Sequence, residues 1–354
     1  MQKAWETLTR RDKMTKPEVQ IELFAAAVTA GESLQGVVHL HTPHSLPLSG
    51  LLLKLTGKEI TQLPRSLTHS GANFQGKHYF LKQEFPLVKF EGTLVSVGHE
   101  SYPFSIRTAP NMSASISLKR DGVRAEVQYT LAVKGIGGTI KAKTAFSVVK
   151  EPSVSVTARD MPERRAAIRS WCCFSRGEVL LSGSLDKDVY VSGEEVKADI
   201  RVNNKNSSLE VVGLKGTIHR TLRISTSEGL SHSEEDVLNE SYTGCLVPAG
   251  KDSLLSVQHV TVSIPTVEKE GTTFAAQSVC GRLIDCSYNL EIEAIMQGCF
   301  RFGGQRVKLF QRLLIAKAAV NSPSFKVKPN DWTSRVAPLV AFDCGEQYDK
   351  LPKK

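Results

Sequence analysis

The chain has 354 residues and a mass of 38.8 kDa, too long for one small sandwich and matched to two domains of about 150 residues each with tails. Hydrophobic residues make up 41% and charged residues 23%, ordinary values that allow real cores and exclude wholesale disorder. The net charge of +9 (pI ≈ 9.1) favours an anionic partner, yet aromatics are only 7% and no basic run interleaves with them, so no nucleic-acid role is expected.

Residues 1–16 carry Lys3, Arg10, Arg11, Lys13 and Lys16 without an apolar stretch, and no window of ~18 apolar residues follows. Neither a signal peptide nor a membrane span is expected. The seven cysteines then read as reduced thiols of a cytoplasmic protein.

Most of the chain alternates in period two, with short runs rich in Val, Ile, Leu and Thr broken by Gly, Pro, Asn and Ser. Strands are expected at 19–23, 36–41, 51–56, 122–133 and 139–149, then at 195–203, 211–220, 256–264 and 306–316. The clearest is 195–203, where Val196, Ala198, Ile200 and Val202 alternate with Lys197, Asp199 and Arg201. His39, His41 and His44 form H-x-H-x-x-H, but alternation puts His39 and His41 on the solvent face and no further ligand is spaced nearby, so no metal is expected. Gly135-Ile136-Gly137-Gly138 reads as a hairpin turn rather than a phosphate loop, because no helix follows it.

Alternation stops at 159–173, where Arg159, Arg164, Arg165 and Arg169 cluster. This segment reads as a linker, with Arg164, Arg165 and Arg169 the candidate contact for an anion. Cys172 and Cys173 beside it pose lipidation against burial at the start of the second core.

An internal repeat ties the halves together. Gly31-Glu32 before 33–38 recurs as Gly193-Glu194 before 195–200, and Tyr129 in 127–131 recurs as Tyr288 in 286–290. The phrase 102–106 likewise corresponds to 260–265. Three landmarks in one order at a near-constant offset argue for duplication, and tandem β-sandwiches are the economical result. The expected domains are 17–158 and 174–327, with an extended, flexible tail at 328–354 interrupted by Pro329, Pro338 and Pro352.

Taken together, Ala30-Gly31-Glu32 with Gly36-Val37-Val38, Tyr102-Pro103-Phe104-Ser105-Ile106, Gly122-Val123-Arg124 before Tyr129-Thr130-Leu131, Cys172-Cys173-Phe174, and Val191-Ser192-Gly193-Glu194-Glu195 with Asn203-Asn204 resemble the arrestin superfamily, and within it the α-arrestins. The resemblance implies an all-β fold of two tandem immunoglobulin-like sandwiches. It also implies a non-enzymatic trafficking adaptor without a cofactor, recruited from the cytoplasm to the plasma membrane or endosomes, where it binds the cytosolic tails of membrane-protein cargo. A retromer-type coat subunit is the alternative within the fold. The chain lacks Pro-Pro, hence the PPxY motif that recruits WW-domain ubiquitin ligases, and the strand 145–150 lacks the internal arginine by which receptor-type arrestins sense phosphate.

Two tail motifs stand out. Leu339, Val340, Phe342 and Asp343 fit the L-φ-x-φ-[D/E] pattern that docks extended tails on clathrin, with a strand folded back on the first domain as the opposing reading. Tyr348 and Leu351 fit the Y-x-x-φ signal read by adaptor complexes. No hydrolase, metalloprotease, Walker or kinase signature occurs, so no enzyme is expected.

Overall fold

The computed structural model describes residues 16–67, 74–92, 94–150, 159–170, 174–252, 257–266, 276–297, 306–316 and 335–344. These fall into two compact units: the first holds residues up to Lys150, Thr226–Gly229 and those from Arg335 on, and the second holds the remainder. Both are built from strands, as two tandem β-sandwiches require.

In the first unit the strands are β1 (Glu18–Leu23), β2 (Ala27–Thr29), β3 (Ser33–Thr42), β4 (Gly50–Leu63), β5 (Phe74–Lys89), β6 (Gly98–Arg107), β7 (Ile116–Arg120), β8 (Val123–Ile136) and β9 (Lys141–Val149). One sheet runs β1-β3-β6 and the other β2-β9-β8-β4-β5, with β7 added on β8. Alternation decides which face is dry: Leu51, Leu53 and Leu55 of β4 and Leu131 and Val133 of β8 are fully buried, while Lys54 and Lys134 on the opposite face are exposed.

The second unit repeats this plan with β10 (Arg159–Ser170), β11 (Phe174–Leu185), β12 (Val189–Val191), β13 (Glu195–Ser207), β14 (Val211–Ser225), β15 (Ser231–Val247), β16 (Lys251–Asp252), β17 (Gln258–Ser263), β18 (Val279–Cys280), β19 (Ile284–Met296) and β20 (Val307–Ala316). Its sheets are β10-β11-β13 with β16 and β17 on β13, and β12-β20-β19-β14-β15 with β18 on β19. The second of these matches β2-β9-β8-β4-β5 strand for strand, and even the short parallel pairing is kept, β2 on β9 and β12 on β20.

The duplicated landmarks do the same work in each unit. Gly31 and Gly193 turn the chain at φ +93° and +94°, where a glycine avoids the Cβ clash, and the Glu32 and Glu194 N–H groups close the turns on the Thr29 and Val191 carbonyls at 2.9 and 3.0 Å. Tyr129 and Tyr288 are both fully buried, and their hydroxyls donate to the Ser113 and Ala276 carbonyls, each at 2.7 Å. The β8–β9 turn is the expected hairpin, with Gly137 at φ +84°.

The segment 159–173 is not simply a linker. Its first twelve residues form β10, antiparallel to β11, with Met161 and Ile168 buried. Register shifts between Met161 and Arg164 and between Ala167 and Arg169 break the period, which is why its sequence hides a strand. The tail likewise contributes β21 (Arg335–Val336) and β22 (Val340–Asp343), both parallel to β6 of the first unit.

Removing either buried hydroxyl leaves a carbonyl without its donor, so Tyr129→Phe and Tyr288→Phe should each lower unfolding stability by about 1–2 kcal/mol in urea melts. A loss confined to one of the two would contradict their structural equivalence.

Candidate binding surface

The tail strand sits at one side of the first sandwich, where it joins both sheets. Through backbone register it extends the β1-β3-β6 sheet, with Val340 opposite Phe104, Phe342 opposite Ile106 and Asp343 opposite Arg107. The Ala337 N–H donates to the Ser101 carbonyl at 2.8 Å and the Cys344 N–H to the Arg107 carbonyl at 3.0 Å, pinning the segment at both ends. Against the other sheet, Phe342 packs on Phe85 of β5 with ring centroids 5.0 Å apart, and the Gln83 side-chain amide donates to the Cys344 carbonyl at 3.2 Å.

The strand period splits the L-φ-x-φ-D motif. Phe342 and Val340 turn toward the sandwich and are half-buried, while Leu339 is 62% exposed and Asp343 lies outward. Cys344 ends the strand fully buried, its thiol donating to the Arg107 carbonyl at 2.8 Å, and burial pushes that thiol's pKa up. Gln83, Phe85 and Cys344 are the partners that motif reading missed. Gln83 carried a readable signal, as the polar member of the inward series Leu81, Gln83, Phe85, Leu87.

The other expected residues belong to the second unit or fall outside the described residues. Arg164, Arg165 and Arg169 are exposed on β10 in the second unit, where Arg165 pairs with Glu178 at 3.3 Å. Tyr348, Leu351, Cys172 and Cys173 lie outside the described residues.

His39 corrects the alternation argument. It points to the outer face of its sheet, yet is only 7% exposed, because Glu22 of β1 and Ser101 of β6 close over it. Its Nε2 lies 2.8 Å from the Glu22 carboxylate and its Nδ1 2.9 Å from the Ser101 hydroxyl. His41 stacks on His99 with ring centroids 4.2 Å apart, and His44 is exposed. Cross-strand neighbours receive the His39 and His41 rings.

Burial of Cys344 reports the docked state. In the intact chain its alkylation should be much slower than that of exposed Cys280, and Phe342→Ala should raise the Cys344 rate about tenfold or more, read peptide by peptide in a mass spectrometer. An unchanged rate would mean that the Phe342–Phe85 contact does not hold the tail.

Comparison with known proteins agrees with this architecture. Residues 175–309 match the family model for the arrestin (or S-antigen) C-terminal domain. Phosrestin-1 of Drosophila melanogaster is 23% identical over 210 residues, covering 57% of this chain and 50% of that protein. Phosrestin-1 of Calliphora vicina is 24% identical over 214 residues, with the same coverage, and phosrestin-2 of Drosophila melanogaster is 23% identical over 195 residues, covering 52% of each chain. The chain spans about half the length of the curated relatives it matches. The chain is thus similar to the arrestin C-terminal domain over residues 175–309 and to the phosrestins over about half of its length, and its two units repeat one sandwich plan.

Proposed function

We propose that the chain is a non-enzymatic trafficking adaptor of the α-arrestin type, working in the cytoplasm and recruited to the plasma membrane or endosomes, that binds the cytosolic tails of membrane-protein cargo and presents its own tail to clathrin or an adaptor complex. The observation that carries this reading is the tail strand: an L-φ-x-φ-D sequence held on β6 by a few hydrogen bonds and one aromatic contact. Such a strand is a modest interaction that a competing partner can replace. In the docked arrangement Phe342 is committed to Phe85, so binding through Leu339 and Phe342 requires release first.

Cargo would be gripped at the opposite edge of the same sheet. Among the described residues β1 pairs only with β3, whereas its counterpart β11 in the second unit has β10 on its outer edge. An unpaired strand edge is a template for an extended peptide. Absence of Pro-Pro argues against direct recruitment of a WW-domain ubiquitin ligase. The second reading, a retromer-type coat subunit, is favoured by the same strand if its docking is permanent, with the pinned ends at Ala337 and Cys344 making the tail part of the sandwich.

Pull-down with clathrin terminal domain separates the two. Leu339→Ala/Phe342→Ala should abolish capture, while Phe85→Leu, which weakens docking without touching the motif, should increase it several-fold. Capture of neither wild type nor Phe85→Leu would leave the tail as a structural strand and favour the coat subunit.

A further inference from the structure

The outward face of the β5-β4-β8-β9 sheet in the first unit is dominated by one sign of charge. Among the described residues the carboxylates at its outward positions are Glu84 and Glu126, and both are taken: Glu84 by Lys54 at 2.8 Å, and Glu126 by Arg124 at 2.6 Å and Lys119 at 3.1 Å. Lys58, Lys77, Lys82, Lys134, Lys141 and Lys143 share the face, with no carboxylate at ion-pair distance among the described residues.

Register concentrates three of them. Lys58 of β4 lies opposite Tyr79 of β5, with Lys77 and Lys82 opposite its neighbours Ile60 and Thr56. The ammonium groups of Lys77 and Lys82 sit 4.9 and 4.1 Å from the Tyr79 ring centroid. Lys58 shows the effect of this crowding: burial and the nearby Lys143 and Lys77 charges lower its pKa from the ordinary lysine value. The cluster repels itself until an anion meets it.

We propose that this face is a docking surface for the anionic phospholipid leaflet of a membrane. Three features favour a lipid surface over a phosphorylated or acidic peptide. The central strands β4 and β8 are paired on both sides, so a peptide laid across them would find no backbone partner. Phosphate recognition by protein favours the bidentate guanidinium fork, and Arg124 on this face already holds Glu126. Lysines on flexible stems, spread over four strands about 4.8 Å apart, suit many mobile headgroups instead. Tyr79, 38% exposed among them, supplies the amphipathic ring that settles at headgroup level. The proposal rests on the reading of a membrane-recruited adaptor and gives it a face.

The test is co-sedimentation of the purified full chain with phosphatidylcholine vesicles, plain or with about a third of the lipid replaced by phosphatidylserine. Binding to the phosphatidylserine vesicles alone is expected, weakened about a hundredfold in Lys58→Gln/Lys77→Gln/Lys82→Gln and unchanged in Arg164→Gln/Arg165→Gln/Arg169→Gln. Thermal melts check folding, and the lysine variant should melt no lower than wild type because it relieves repulsion. A single variant, Lys82→Gln, with about a fivefold loss, keeps the test open if the triple does not fold. The proposal is overturned if the chain ignores phosphatidylserine vesicles, if the lysine variants bind them as wild type does, or if an acidic phosphopeptide displaced by the same substitutions binds where vesicles do not. Because the assay contains only protein and lipid, its failure leaves the clathrin result standing, and failure of clathrin capture leaves this face standing.

Discussion

Each sandwich depends on one constraint: the two sheets must share a dry interior, so every long strand can commit only half of its side chains to it. In β4 that half is Leu51, Leu53 and Leu55, and in β13 it is Val196, Ala198, Ile200 and Val202. The other half faces outward and is free to carry charge. The same alternation that buries the core of the first unit therefore lines up lysines from β4, β5, β8 and β9 on its outer face.

Strand edges are the second consequence. A sandwich leaves backbone groups unpaired at its sides, and the two units treat them differently. The second unit covers the edge of β11 with β10, while the first is extended at β6 by β21 and β22. One segment thus completes a side of the fold and carries the L-φ-x-φ-D sequence proposed above to bind clathrin. In the proposed reading, docking and recruitment compete for Phe342, whose ring packs on Phe85 in the docked strand.

The duplication was legible because its landmarks are conformational requirements. Gly31 and Gly193 both stand at positive φ, and Tyr129 and Tyr288 both hold a buried carbonyl. Strands with strict alternation, such as β13, could be read for the same reason. β15 could not: it pairs with β14 over its length, but its side chains run Ser, His, Glu, Asp and Asn on both faces, because its inward positions are only half-buried until Cys245 and Val247. The bulges of β10 erased its period, and His39 was placed in solvent because alternation gives a face but not what neighbouring strands put there. The lysine face escaped notice since Lys58 meets Lys77 and Lys82 only through cross-strand register. At the tail, the spacing of Leu339, Phe342 and Asp343 was visible in sequence, whereas its partners Gln83 and Phe85 are distant in the chain.

The tail strand is docked on β6, and its release is what the proposed function requires. Hydrogen–deuterium exchange of residues 335–344 in the full chain, with and without clathrin terminal domain, tests it directly. The account predicts slow exchange of the Ala337 and Cys344 amides in the free protein and faster exchange of the Cys344 amide once clathrin is bound. Free exchange of both amides before any partner is added would contradict it.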